Sequence, residues 1–175
     1  VNVWQRYKMV LTHRKAMSYL FSQCFAYAGM FAFITASPLV YMEYFGVSTT
    51  VYPFLFGGNI LCMVVANRIN VYLLRRFQPA QLLSIGQTLQ LIMGALLVSY
   101  LLLSSQLSLY IIVGMVMLFV GSHAFIVSNA TASTVEFFPT NSGTATALLG
   151  ASGFFAGALS GAAVSLLGDG SPWPM

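Results

Sequence analysis

Five apolar stretches, each long enough to cross a bilayer and none carrying an acidic residue, leave this chain few ways to fold. They run over about 16–37, 51–74, 80–103, 107–130 and 142–167. A spanning helix needs about 20 consecutive apolar residues, and only helices or closed barrels satisfy every backbone group inside lipid. Unbroken runs of this length choose helices, so the expected fold class is an all-α transmembrane bundle of about five membrane helices. Charge agrees with that expectation: seven basic and three acidic residues make up 6% of 175 positions, against 58% hydrophobic residues. Soluble domains carry roughly 25% charged residues, so no water-facing surface can be built from this composition.

The breaks between the runs fit the division. Pro38 disfavours helix at Ser37, Pro79 closes the link after Arg75 and Arg76, and Pro139 lies in the polar link before the last run. Short links make successive helices antiparallel neighbours. Arg6, Lys8, Arg14 and Lys15 precede the first run, and Arg68, Arg75 and Arg76 gather at the end of the second. Basic residues collect on the cytoplasmic side. The expectation is therefore a multi-pass protein with a cytoplasmic N-terminus, residues 1–15 a cytoplasmic loop, residues 16–167 the bundle, and residues 168–175 an outer-side tail. Tyrosines and tryptophans near the boundaries, such as Trp4, Tyr72, Tyr41, Tyr110 and Trp173, suit interfacial belts. The net charge of +4 does not signal nucleic acid, because the basic residues sit at the ends of apolar runs rather than over one face. Cys24 and Cys62 fall inside apolar runs, as buried small hydrophobes do.

Several residue patterns inside the runs carry more than topology. Gly150, Gly153, Gly157 and Gly161 form a small-residue stripe on the fifth helix that lets two backbones approach closely. Packing is the expected role, with a sliding surface as the sharper alternative. On the first helix Tyr19, Gln23, Tyr27 and Phe31 recur every four residues, so they share one face. Gln23 must face protein or a water-filled cavity, and either a bond to a neighbouring helix or a place on a cavity wall would satisfy it. His123 lies deep in the fourth run near Ser122, Ser128 and Asn129. An intramembrane histidine is a functional-site candidate, and with no carboxylate deep in any run a neutral, hydrogen-bonded ring is favoured over a proton relay. Asn59 joins Gln23, Tyr27, Phe31 and His123 as a cavity candidate, while Arg68, Arg75 and Arg76 are expected in a cytoplasmic gate loop. Nine methionines and fourteen phenylalanines offer adaptable apolar surface. No paired carboxylate, nucleophile elbow, metal motif or Gly-rich phosphate loop is present in the sequence, so neither enzymatic activity nor a cofactor is expected.

The stretch from Met30 to Val47, MFAFITASPLVYMEYFGV, resembles the seventh helix and following loop of the bicyclomycin-resistance (Bcr/CflA) family of major facilitator superfamily transporters. SNATAS, from Ser128 to Ser133, and FPTNSGTATAL, from Phe138 to Leu148, resemble that family's tenth helix end and the entry to its eleventh; Pro172 to Met175 resembles the residues before the twelfth. The resemblance implies two six-helix halves with a substrate site near the midplane. It implies that this chain is an incomplete C-terminal half, helices 7 to 11, whose partner is a missing N-terminal half. The implied activity is export of small hydrophobic drugs across the bacterial inner membrane, driven by a proton gradient. Asn67 departs from the wider superfamily's acidic residue before Arg68, which removes an ionic latch there. The implied coupling carboxylates lie in the missing half, so the chain alone is expected not to transport. A metabolite carrier and a non-transporting remnant or scaffold are the alternatives; the sparse polar inventory counts against the first.

Overall fold

The computed structural model describes residues 2–104 and 106–167, and among them every regular element is helical. Helix α1 is Val3–Thr12, α2 Arg14–Pro38, α3 Tyr52–Leu73, α4 Pro79–Leu103, α5 Leu109–Phe137 and α6 Ser142–Leu167. Five of these, with α2 continuing to Tyr44, are long and apolar enough to span a membrane. The chain is thus an all-α, multi-pass membrane protein. The expected tail 168–175, with Trp173, lies outside the described residues.

Three boundaries differ from the sequence expectation for physical reasons. Residues 3–12, expected as loop, are helical. Gln5 Oε1 accepts the Asn2 backbone N–H at 3.1 Å, and Val10 is buried with Ala16, Phe138 and Ala145, so α1 docks on the bundle. His13 then joins α1 to α2: its Nδ1 accepts the Ala16 N–H at 3.2 Å, and its ring packs 4.6 Å from that of Phe137. Pro38 does not end the first span, because the chain widens into a π-helical segment over Leu39–Tyr44. Ser37 Oγ donates to the Ile34 carbonyl, four residues before Pro38, at 3.3 Å, and the wider turns beyond supply bonds five and six residues back, from Phe45 N–H to the Val40 carbonyl and from Val47 N–H to that of Tyr41. Gly46, at φ 67°, then stops the helix in the left-handed conformation that only glycine adopts without strain. Finally, α5 runs seven residues beyond the expected 130, since Thr134 folds its hydroxyl back onto the Ala130 carbonyl at 2.7 Å and the polar segment stays helical.

The bundle is organised around two pairs of parallel helices. Helix α6 lies along α2 with a constant separation of 126 residues: Gln23 meets Leu149, Tyr27 covers Gly153, Phe31 covers Gly157 and Thr35 covers Gly161. The aromatic ridge of one helix is seated in the glycine stripe of the other. Ser160 adds a hydrogen bond to the Ala28 carbonyl at 2.8 Å. Gly150, expected in the same stripe, takes no part: a Cβ there would meet nothing among the described residues. Helix α3 lies along α5 at a separation of 59, with Gly58 against Met117, Cys62 against Gly121 and Asn70 against Asn129. Helix α4 packs antiparallel on the back of α5, where Gly86 lets Phe125 and Ile126 come close.

Asn70 and Asn129 are 0% and 1% exposed, and Asn129 Nδ2 donates to Asn70 Oδ1 at 2.7 Å. A polar contact of this kind between membrane helices contributes about 0.6 to 1.7 kcal/mol. Replacing Asn129 by Ala is expected to lower stability by roughly 1 kcal/mol, read as an earlier unfolding transition in a denaturing-detergent titration of the full-length protein. No change would mean the pair is not a clasp between α3 and α5.

Candidate functional site

Between α3 and α5, with one side chain from α2, lies a cavity of about 620 Å³. Helical periodicity explains which residues reach it. Ile60, Met63, Val64, Asn67 and Arg68 share one face of α3, and His123, Ala124, Val127 and Ser128 share the facing side of α5. Tyr27 of α2 closes the third side. Its ring stands edge-on to His123 with centroids 4.9 Å apart, and it also packs 5.1 Å from Phe154 of α6.

His123 is the centre of this site. It lies midway along α5, is 5% exposed, and its Nδ1 has no hydrogen-bond partner among the described residues. That nitrogen is itself closed off, so it is other atoms of the ring that border the cavity. Below it, toward the arginine-bearing end of α3, the register places Arg68 one turn away, about 6 Å along the axis at 1.5 Å per residue. No carboxylate lines the cavity among the described residues. The surroundings of His123 and Arg68 are otherwise apolar or neutral-polar, with Asn67 and Ser128 as the hydrogen-bonding groups and Ile60, Met63 and Val64 as the greasy wall.

Of the five cavity candidates, the structure brings Tyr27 and His123 together and places the other three elsewhere. Gln23 is 2% exposed and is committed to neighbouring helices: its Nε2 donates to the Leu149 carbonyl at 3.1 Å, and its Oε1 accepts from Thr131. Phe31 lies against Gly157 and Phe154 on α6. Asn59 is 2% exposed and bonds back to the Leu55 carbonyl of its own helix. Arg68, expected in a loop, sits inside α3 and on the cavity, whereas Arg75 and Arg76 lie in the turn after α3. Arg75 packs over the Tyr72 ring at 5.7 Å. The cavity residues that sequence reasoning passed over, Ile60, Met63 and Val64, carry no signal beyond their spacing from Asn67.

A family model for the Major Facilitator Superfamily matches residues 19–175. A bicyclomycin resistance protein homolog from Haemophilus influenzae is 30% identical over 171 residues, which cover 98% of this chain and 42% of that relative. The chain therefore spans less than half the length of the relative it matches. No solved structure matches the chain significantly. The match over almost the whole chain, on a bundle of five spanning helices around a polar-lined cavity, means that this chain belongs to the Major Facilitator Superfamily.

Proposed function

We propose that this chain is the C-terminal part of a proton-coupled exporter of chemically varied small hydrophobic compounds in a bacterial inner membrane, with its N-terminus on the cytoplasmic side. The observation that carries the reading is the cavity itself, a space of mixed polar and apolar lining that reaches from His123, midway along α5, to Asn67 and Arg68, with the Tyr27 ring beside it. Soft side chains such as Met63 and broad rings such as Tyr27 accommodate ligands of different shape. The name of the Haemophilus relative, with 30% identity, supports drug export over metabolite uptake. Coupling to protons requires acid–base groups, and the described spans hold no carboxylate beyond Glu43 and Glu136 at their ends. The coupling groups are therefore assigned to the remainder of the transporter, with this chain forming one wall of the cavity. Arg75 and Arg76, in the turn after α3, are assigned to the cytoplasmic gate.

Expression of the full-length protein in a bacterial host stripped of its own efflux pumps tests this. The inhibitory concentration of at least two chemically unrelated drugs should rise roughly fourfold or more, as a change of about 1 kcal/mol in transport efficiency would give, and the gain should vanish with a protonophore. Protection against no compound, or protection insensitive to the gradient, would remove the proposal.

A further inference from the structure

We infer that α1 is a membrane-surface helix whose apolar side lies in the headgroup layer of an anionic bilayer leaflet, with Arg6 and Lys8 reaching lipid phosphates from its two edges. This goes beyond the transport reading and does not depend on it.

Helix α1 lies ahead of the stretch that the family model matches, which begins at Tyr19, so the superfamily's shared core does not account for it. Its level in the membrane follows from its contacts. Val10 is buried with Ala16 in the first turn of α2, Phe138 just after α5 and Ala145 in the first turn of α6. These are the positions at which spans enter and leave the bilayer, so α1 is held at the membrane interface. His13, in extended backbone, separates α1 from α2, and α1 therefore turns aside from the span instead of lengthening it.

The order of residue types around α1 selects lipid as its partner. At about 100° per residue, Val10, Val3, Tyr7, Leu11 and Trp4 fill one continuous sector, roughly a third of the circumference. Arg6 flanks the Val10 edge, Lys8 flanks the Trp4 edge, and Gln5 and Thr12 occupy the opposite side. The bundle buries Val10 but leaves Trp4 73%, Val3 65% and Leu11 45% exposed. Basic residues on both edges of an apolar sector suit a helix lying in the interface plane, because their long side chains reach the phosphates while the sector enters the acyl boundary. An indole belongs at that level, with its apolar body inward and its N–H toward the headgroups. Charge chooses the kind of lipid. Arg14 and Lys15 follow α1 directly and the first acidic residue of the chain is Glu43, so the field around α1 is positive and attracts anionic headgroups.

Quenching of Trp4 tests this. The full-length protein is placed in nanodiscs of phosphatidylglycerol and phosphatidylcholine, and subtraction of the Trp4→Phe protein isolates the Trp4 emission. Phosphatidylcholine brominated near the top of its acyl chains should quench that emission strongly, and aqueous iodide should quench it little. Nanodiscs carry the same lipid on both faces, so the result holds whichever end of the bundle is cytoplasmic. Arg6→Gln with Lys8→Gln should shift α1 toward water by about fivefold for each charge removed, read as iodide quenching gained and bromine quenching lost. Omitting phosphatidylglycerol should act in the same direction. Quenching by iodide and not by brominated lipid would put the apolar sector in water and overturn the inference. Quenching by neither would mean that another part of the protein covers Trp4, and overturns it equally. Bromine quenching unchanged both in neutral lipid and in the Arg6→Gln, Lys8→Gln protein rejects an anionic surface as the partner. The expected quenching in a protein that protects against no drug upholds this inference and removes only the transport reading.

Discussion

Replacing Gly157 with Leu should cost the full-length protein most of its folded yield, the largest effect expected of any single substitution in the bundle. A methyl group at this position would sit 2.7 Å from Phe31 Cδ2 and 2.8 Å from Cγ, and a leucine would add three more carbons. Phe31 cannot swing away freely, because its ring is also packed against Phe154 and lies one turn from Tyr27. Tyr27 in turn covers Gly153, where an added Cβ would meet its ring at 2.8 Å. The two helices would have to separate along the whole contact, since the ridge and the stripe are locked at one register. Overpacking a close-packed contact costs about 1 to 3 kcal/mol for an extra methylene or two, and each 1.4 kcal/mol is about a tenfold shift in a folding equilibrium. Gly157→Leu should therefore give roughly a tenfold or greater loss of monodisperse protein by fluorescence-detected size exclusion, with Gly157→Ala intermediate. Gly150→Leu is the control, because a Cβ there meets nothing among the described residues. Equal losses at Gly150 and Gly157 would show that the stripe has no special part in packing.

The contrast between those two glycines marks how far sequence reasoning reached. Composition and run length were enough for the five spans, because lipid leaves a chain no alternative to internal backbone bonding. The ridge of Tyr27 and Phe31 and the stripe of Gly153, Gly157 and Gly161 were each legible from a spacing of four. Their pairing was not, because nothing local reports that residues 126 apart share one level of the bundle. Gly150 stands three residues before Gly153, off that spacing, and a Cβ there would meet nothing among the described residues. Pro38 illustrates a different loss of information: a local rule forbids helix there, and the π-helical turn that absorbs it depends on bonds made further along.

The candidate site was half legible for similar reasons. His123 announced itself by being ionisable in an apolar run, and Tyr27 by its place on the ridge. Gln23 looked equivalent to them, and only the path of α6 shows that its amide bonds the Leu149 carbonyl. Arg68 was grouped with Arg75 and Arg76 because all three lie near the end of one apolar run. The helix continues past Arg68 to Leu73, and its periodicity turns that side chain toward Ser128 and His123 rather than into the turn. Asn70 gave no sequence signal that separated it from Asn67, yet one is buried against Asn129 and the other is on the cavity wall.

The second large effect follows from that division of the polar residues. His123→Ala should weaken binding and export of transported compounds by up to roughly tenfold while leaving the fold intact, whereas Gln23→Leu should lower stability and leave affinity unchanged. Removing the imidazole takes away part of the cavity wall and the edge-on contact, worth about 0.5 to 1.5 kcal/mol, that holds the Tyr27 ring in place. Ordering the freed Tyr27 ring on binding then costs a similar amount, and about 1.4 kcal/mol is a tenfold change in affinity. The loss is felt by the ligand because the ring and Tyr27 both line the cavity, midway along α5. Gln23 is different: a leucine of similar length removes two interhelical bonds, to the Leu149 carbonyl and from Thr131, each of about 0.6 to 1.7 kcal/mol, and exposes nothing to the cavity. Ligand titration and thermal unfolding of the two full-length variants, read side by side, separate these roles. A Gln23→Leu protein with weakened affinity and wild-type stability would put that glutamine back on the wall of the cavity. Wild-type affinity in His123→Ala would mean that the polar centre of the site lies with Arg68 and Asn67, one turn nearer the arginine-bearing end.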